Sequence, residues 1–319
     1  MDFKQVEAFV KVAELGSFSK AAEAIFLSQP SVSTYISALE KELTATLINR
    51  STKEVSLTLA GKIFFESAKE ILALRNNSIE RIKSLKGDFS GEINVLASSV
   101  PSQYILPELI ARFCGNYPGI SFNVKQADTF EVVRGIASQQ AEIGFSGGMA
   151  ENSKCTFHEF ASEEMVLIGP NNFGLTHSRK YFLRDIMYSY PYVAREKGSG
   201  TRAEYENFFA DNSIDISKLK PRASFDNTQS IINAVVSGLG FSIVSEIAAR
   251  AHIDQKLVTL VNLEEELPKR KLYYVLKKSI SASHLVDLFV GFLQGSSPNV
   301  SLVATVGFAG YRHFDKPEV

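Results

Sequence analysis

Residues 16–61, GSFSKAAEAIFLSQPSVSTYISALEKELTATLINRSTKEVSLTLAG, decide the fold of the N-terminal part of the chain. Just ahead of them, residues 2–15 place apolar side chains at helical spacing, and Gly16 is suited to end that helix. Ser17 or Ser19 can cap a short second helix, in which alanines allow another helix to approach closely. We therefore expect a cluster of helices at the N-terminus.

A further helix is predicted over residues 29–43, because Ser28 is a good N-cap and Pro30 fits the first helical turn. Its apolar residues fall on one stripe, and the opposite face is small and polar. Such a face fits the major groove of DNA, where Gln pairs with adenine edges and hydroxyls pair with several bases. The residues assigned to DNA contact on this helix are Ser28, Gln29, Pro30, Ser31, Ser33, Thr34 and Ser37. The alternative is a packed helical pair whose polar side faces water.

A hairpin is predicted next, with its tip at residues 50–54 between two short strands. Arg50, Thr52 and Lys53 are assigned to DNA contact there, since cations at a hairpin tip can reach phosphates. Thr58 then caps a long helix. Helix, turn, helix and hairpin together predict a winged helix-turn-helix.

The same segment closely resembles the N-terminal domain of LysR-type transcriptional regulators. The matching positions are Ala21, Ala22, Leu27, Ser28, Gln29, Pro30, Ser31, Val32, Ser33, Ile36, Leu39, Glu40, Leu43, Leu47, Arg50, Leu57, Thr58, Leu59, Ala60 and Gly61. The resemblance implies double-stranded promoter DNA and RNA polymerase as partners. Thr44 and Ile48 depart from it, standing where the family usually has Gly and Phe. A helix C′ position often needs positive φ, so Thr44 indicates either a different helix end or a strained turn.

A helix of about seven or eight turns is predicted over residues 58–86, which lack proline. Its broad apolar stripe consists of Ile63, Phe64, Ala68, Ile71, Leu72, Leu74, Ile79, Ile82 and Leu85. The stripe could pack on the chain's own domains or on a second copy. The resemblance implies the second arrangement, a linker helix that makes a dimer, and further self-association to a homotetramer.

From residue 91 onward, short apolar runs alternate with helical segments, which is typical of a parallel sheet covered by helices. Strands are predicted at 93–97, 120–124, 142–146, 156–161, 165–168, 192–194, 222–225, 241–244 and 271–276, and helices at 101–116, 130–139, 201–210, 228–236, 245–251 and 282–293. This part resembles the effector domain of LysR-type regulators, a two-lobed α/β architecture like that of periplasmic binding proteins.

The fold class expected for the whole chain is therefore α/β overall, with an N-terminal all-α winged helix-turn-helix, a long linker helix and a two-lobed effector domain. The expected limits are 1–58 for the DNA-binding domain, 59–90 for the linker helix and hinge, 91–295 for the effector domain and 296–319 for a tail. Within the effector domain, lobe I takes 91–165 plus 268–295, and lobe II takes 166–267.

An effector would lie at the carboxyl ends of the strands, beside helix N-termini. One such end holds Ser98 and Ser99, as an anion cradle or as plain helix caps, and another is the run Arg195-Glu196-Lys197-Gly198-Ser199-Gly200-Thr201-Arg202. Thr129 is expected to cap a helix, as is Asn227 or Thr228. The residues assigned to effector contact are Ser98, Ser99, Thr129, Arg195, Ser199, Gly200, Thr201 and Asn227. Resemblance to branches concerned with sulfur, selenium or carbon assimilation implies a small anionic effector.

Composition argues against other classes of protein. An apolar fraction of 45% with no apolar run of about 18 residues and no leader predicts a cytoplasmic protein without membrane contact. The scattered histidines, and Cys114 and Cys155 outside any metal motif, predict neither a metal nor a cofactor, and no enzyme. The alternatives are a small-molecule-binding α/β enzyme and a solute-binding protein, although the latter would need an export signal.

Overall fold

The structure is a computed structural model that describes residues 1–50, 55–84, 89–175, 179–219, 221–278 and 282–295. At Arg50, Glu80, Lys83 and Ser84 it describes the backbone alone. The wing-tip residues Thr52 and Lys53, Leu85 and the tail at 296–319 lie outside the described residues. The described residues divide into two compact units: the first takes residues up to 89 together with 282–284, and the second takes residues 90–278 and 285–295.

The first unit is a helical cluster with a short hairpin. Its elements in chain order are α1 (Phe3–Leu15), α2 (Phe18–Ala24), α3 (Gln29–Glu42), β1 (Ile48–Arg50), β2 (Val55–Leu57) and α4 (Leu59–Ser84). Asp2, Ser17 and Ser28 cap α1, α2 and α3 through their side chains, and Gly16 ends α1 at a φ of 59°. The caps on α2 and α3 confirm the sequence prediction, because capping is a contact between residues three apart.

The turn after α3 is strained. Thr44 adopts a φ of 50°, a conformation that a β-branched residue rarely takes. Its amide donates to the Lys41 carbonyl at 3.3 Å, and the next amide, of Ala45, donates to the Glu40 carbonyl at 3.1 Å. The chain therefore ends the helix in the left-handed manner usual for Gly, and of the two alternatives raised by Thr44 the strained turn is the one observed.

The long helix α4 has two apolar faces rather than one stripe. Phe64 and Ala68 join the core of the first unit, and the Phe64 ring lies 5.3 Å from that of Phe9 on α1. Ile63, Leu74 and Ile82, in contrast, stay 60% or more exposed. One face of the helix thus packs on the chain's own helices, and the other is uncovered within a single copy.

From Gly91 onward the chain forms an α/β unit. Its elements are β3 (Gly91–Ala97), α5 (Leu106–Asn116), β4 (Ile120–Gln126), α6 (Thr129–Ala137), β5 (Ile143–Ser146), β6 (Cys155–Gly169), α7 (Leu183–Ser189), β7 (Val193–Arg195), α8 (Gly200–Asp211), β8 (Ala223–Phe225), α9 (Thr228–Val236), β9 (Ser242–Ser245), α10 (Glu246–Asp254), β10 (Thr259–Leu260), β11 (Lys269–Lys277) and α11 (His284–Gly295). A single turn of π-helix over Pro101–Ile105 precedes α5.

The strands are joined largely through two long ones, β6 and β11. Parallel strands β4, β3 and β5 lie side by side, and β11 runs antiparallel between β5 and β6. Beyond its pairing with β11, β6 continues to pair with β9 and β10. The small parallel pair β7 and β8 forms a separate sheet. The described part of the chain thus holds a mixed α/β unit after the helical one, as the expected fold class predicted.

Two sequence predictions about this unit are wrong. The strands predicted at 156–161 and 165–168 are one strand, β6, because the polar residues between them remain in the ladder opposite β11. Helix α7 was not predicted, since its first residue carries no local side-chain cap; the Leu183 amide instead donates to the Glu265 carboxylate, 82 residues away.

DNA-binding surface and effector cleft

The residues predicted to read DNA lie on one face of α3. Ser28, Gln29, Pro30, Thr34 and Ser37 are exposed, and Ser31 and Ser33 are half-buried. The cap holds part of this face in place: Ser28 Oγ accepts from the Ser31 amide at 3.3 Å, and Thr34 Oγ1 donates to the Pro30 carbonyl at 2.9 Å. Gln29, at the helix N-terminus, presents its carboxamide to solvent. The arrangement suits base contact by Gln29 and phosphate contact by the first amides of the helix.

A carboxylate that sequence reasoning passed over joins α3 to the hairpin. Glu40 Oε1 accepts hydrogen bonds from the amides of Leu47 and Ile48, at 2.8 and 3.2 Å. Thr58 links the hairpin to the start of α4. Its hydroxyl donates to the Thr46 carbonyl, just before β1, and accepts from the Gly61 amide in α4. The hairpin is therefore fixed to α3 and α4 by side chains within the first unit.

In the second unit, three segments from different strand ends converge on one small cleft. It encloses about 240 Å³, part of which is open to solvent. Its lining residues are Ser98, Ser99, Val100, Asp128, Thr129, Arg195, Glu196, Ser199, Gly200, Thr201 and Arg270. The N-termini of α6 and α8 both begin at this cleft, so their first amides and their dipoles favour negative charge there.

The two serines after β3 do not cap a helix. Ser98 Oγ accepts from the Gly147 amide at 3.2 Å, whereas Ser99 Oγ accepts from Arg195 Nη2 at 3.3 Å. The helical turn that follows has no side-chain cap. Of the two roles considered for these serines, plain capping is thus excluded by the geometry. The cap of α6 also differs from expectation, because Asp128 rather than Thr129 accepts the Glu131 amide, at 2.7 Å.

Arg195 is buried and heavily bonded. Its Nε and Nη2 donate to the two Glu196 carboxylate oxygens at 2.8 and 2.9 Å, and its Nη1 donates to Thr228 Oγ1 at 3.1 Å. Its amide donates to the hydroxyl of Tyr205, whose pKa is raised by burial, so the phenol stays neutral. From the sequence, Arg195 was assigned to effector contact. In the structure, Glu196 already neutralises it.

A second buried arginine, which sequence reasoning missed, also lines the cleft. Arg270 on β11 pairs with Glu163 on β6, and these residues are direct cross-strand neighbours. The same guanidinium donates to Thr201 Oγ1, and Ser245 donates to the other oxygen of Glu163. The sequence does not indicate that Arg270 is buried. It stands in a run of charged residues, 269–271, and surface strands show the same pattern.

Comparison with known proteins decides the family. A model of the bacterial regulatory helix-turn-helix protein, lysR family, matches residues 3–62. A model of the LysR substrate binding domain matches residues 86–297. The chain belongs to the LysR family of transcriptional regulators. It is therefore a DNA-binding transcriptional regulator with an effector-binding domain, as its N-terminal motif predicted.

Relatives of this LysR-type regulator match over nearly the whole chain. The HTH-type transcriptional regulator CysL of Bacillus subtilis (strain 168) is 30% identical over 298 residues, which cover 93% of this chain and 98% of CysL. Full-length CbnR complexed with its target DNA is 22% identical, with a TM-score of 0.63 over 93% of this chain and 100% of that one. The Synechocystis PCC6803 CcmR regulatory domain in complex with 2-PG is 20% identical, with a TM-score of 0.60 over 66% of this chain and 99% of that one. The two structures show a shared fold.

Not every residue assigned to effector contact lines the cleft of this LysR-type regulator. Asn227 caps α9, accepting the Ser230 amide at 2.8 Å, and it is absent from the described lining. No group of His, Cys, Asp and Glu that could hold a metal ion occurs among the described residues. None of the described helices is long and apolar enough to cross a membrane.

Proposed function

We propose that this regulator binds a specific promoter sequence through α3 and the wing tip, and that a small effector with an acidic group binds the cleft and changes promoter binding or activation. The observation that carries the effector proposal is the convergence of Ser99, the start of α6 and the start of α8 on one cleft. Helix N-termini and hydroxyls are suited to anionic oxygens. The CcmR complex with 2-PG supports a small effector of this kind.

The cleft suits a small ligand better than a large one. Gly200 is packed closely, because an added Cβ would lie 2.6 Å from the Gly147 carbonyl oxygen. Asp128 and Glu196 add acceptors to the lining, which would receive a hydroxyl or another donor of the same ligand.

The active assembly that we propose is a homodimer through the uncovered face of α4, with further association to a tetramer. Ile63, Leu74 and Ile82 are the large apolar side chains that a second copy would cover. The expected domain limits, a role in the cytoplasm, contact with RNA polymerase and the absence of an enzymatic activity belong to the same proposal. They rest on membership of a family of transcriptional regulators.

The DNA-reading part is tested by selecting a preferred sequence with the full-length protein and comparing it with random DNA. Gln29→Ala is expected to weaken the preferred sequence by about 1–3 kcal/mol and random DNA much less, because base contacts carry the sequence information. Gln255→Ala, an exposed change outside the first unit, is the matched control. An equal loss on both DNAs would refute base reading by Gln29.

The effector part is tested by titrating 2-PG, sulfate and phosphate into the protein bound to its preferred DNA. Ser99→Glu places a carboxylate in the cleft, so it is expected to abolish the response to ligand and to leave DNA binding intact. Ser121→Glu, on an exposed position of β4, is the control and should keep the response. A response that survives in Ser99→Glu would show that the effector binds elsewhere.

A further inference from the structure

Arg270 and Glu163 form a buried ion pair on the two longest strands of the second unit. Their side chains are 4% and 0% exposed. In contrast, the neighbouring pair on the same two strands, Lys269 with Glu164, is 72% and 56% exposed. The two strands thus carry one ion pair that is exposed to solvent and, one residue further along, a second ion pair that is buried.

Burial of this ion pair is not explained by a gain in the stability of the fold. Removing two charges from water is unfavourable, and an apolar pair of similar size is often as stable or more so. Moreover, the pair is incompletely bonded: among the described residues, the buried Nε of Arg270 has no hydrogen-bond partner. A buried donor left without an acceptor is unfavourable, so Glu163 and Thr201 do not fully satisfy this guanidinium.

The two arginines of the cleft differ in how many hydrogen bonds their guanidinium groups already donate. Arg195 donates to both oxygens of Glu196, and also to Thr228, Ser99 and the Asp226 carbonyl. Arg270 donates to Glu163 and Thr201 alone among the printed contacts of the described residues. A guanidinium has five N–H donors in a planar fork, so Arg270, with two acceptors among the described residues, retains more donors for a ligand than Arg195, with five.

The position of Arg270 also suits ligand contact. It lines the cleft together with Thr201, which lies in the first turn of α8. A Cβ on Gly147 would lie 2.8 Å from the Arg270 guanidinium carbon, so glycine at that position leaves room for the arginine. The side chain thus reaches from β11 past the loop after β5 to the start of α8.

We propose that Arg270 binds the acidic group of the effector, which is a carboxylate, phosphate or sulfate group that accepts a charge-assisted hydrogen bond from the guanidinium. This rests on the proposed effector function of the cleft. The ligand group accepts from Nη1, the nitrogen that now donates to Thr201, while Nη2 continues to donate to Glu163. Ligand occupancy then acts directly on β6 and β11, whose cross-strand pair holds the arginine.

The test measures binding of sulfate, phosphate and 2-PG to the full-length protein by calorimetry and thermal shift, at constant ionic strength. The deciding variant is Arg270→Lys, because lysine keeps the charge beside Glu163 but loses the planar fork of N–H donors. Affinity for the best probe is expected to fall about 10-fold or more. The double variant Arg270→Gln with Glu163→Gln removes both buried charges together and is expected to lose still more affinity. Lys269→Gln, the exposed neighbour, should bind within about twofold of the parent.

The outcomes separate this inference from the proposed function. Unchanged affinity in Arg270→Lys, with binding lost in Ser99→Glu, overturns the role of Arg270 and leaves the cleft as the effector site. Unchanged affinity in both variants overturns the cleft itself. If no probe stabilises the parent more than it stabilises the double variant, the acidic-group chemistry is refuted. An equal loss in Lys269→Gln and Arg270→Lys would show a general effect of surface charge, which also refutes the inference.

Discussion

The strained turn after α3 leads to a stability prediction that can be worked from the backbone. Thr44 holds a φ of 50°, and an L-residue in this region costs about 1–2 kcal/mol, with β-branched residues least suited to it. Glycine removes that strain but loses about 0.5–1 kcal/mol more conformational entropy on folding. Thr44→Gly is therefore expected to stabilise the first unit by about 0.5–1 kcal/mol.

A matched control lies close by. Thr46 is exposed like Thr44 but is not among the described residues with positive φ. Thr46→Gly relieves no strain, so it should destabilise the same unit by about 0.5–1 kcal/mol. The two substitutions have identical chemistry and opposite expected signs, which removes any general effect of replacing threonine by glycine.

The assay uses the fact that the chain contains no tryptophan. Tyr35→Trp, partly buried against the core of the first unit, gives a fluorescence signal that reports only this unit in the full-length protein. Urea titration of the Trp-labelled parent, Thr44→Gly and Thr46→Gly then gives the free energies of unfolding. If Thr44→Gly lowers the midpoint as much as Thr46→Gly does, the left-handed turn is refuted.

Three further predictions concern the same unit. Glu40→Ala should lower the free energy of unfolding by about 1–3 kcal/mol in the tryptophan assay, because the amides of Leu47 and Ile48 lose their acceptor. A loss under ~0.5 kcal/mol would contradict these two hydrogen bonds. Gly61→Ala should cost about 1–3 kcal/mol, since its Cβ would lie 2.0 Å from the Leu47 carbonyl oxygen, and an unchanged midpoint would show that α4 does not approach the hairpin so closely. Ile79→Asp should convert dimers to monomers in sedimentation whereas Asn77→Asp should not, and an intact dimer in both would exclude this part of α4 as the interface.

Local chemistry explains which parts of the fold were predictable. The caps on α2, α3 and α9 come from Ser17, Ser28 and Asn227, each bonded to an amide three residues on, so the sequence pattern contains both partners. Helix α7 lacks that pattern because the acceptor for its first amide comes from Glu265. The same limit applies to Glu40, whose partners follow seven and eight residues later in the hairpin.

The cleft shows a second limit, which concerns charge. The sequence placed Ser99, Ser199 and Thr201 at helix starts, and the structure brings these residues together. It also placed Arg195 there, but no pattern in the sequence indicates that Glu196, its immediate neighbour, neutralises it. Arg270 was missed because its partner Glu163 lies 107 residues away, and only strand register makes them neighbours. The sequence of this run therefore overstated how much positive charge is left unpaired for a ligand.

The contacts across the cleft determine what an effector must replace. Arg195 joins β7 to Ser99 after β3, and Arg270 joins β11 to Thr201 at the start of α8. A ligand shifts a conformational equilibrium only by the difference between its affinities for the two states. An acidic group that takes the place of Thr201 on Arg270 exchanges a neutral hydroxyl acceptor for an anionic one, so the exchange is favourable. Taking the place of Ser99 on Arg195 would gain less, since that Nη2 already donates to Glu196, whereas the Nη1 of Arg270 has only a hydroxyl acceptor among the described residues. Ligand binding is thus expected to break the Arg270 contact with Thr201 and to preserve the Arg195 contact with Ser99.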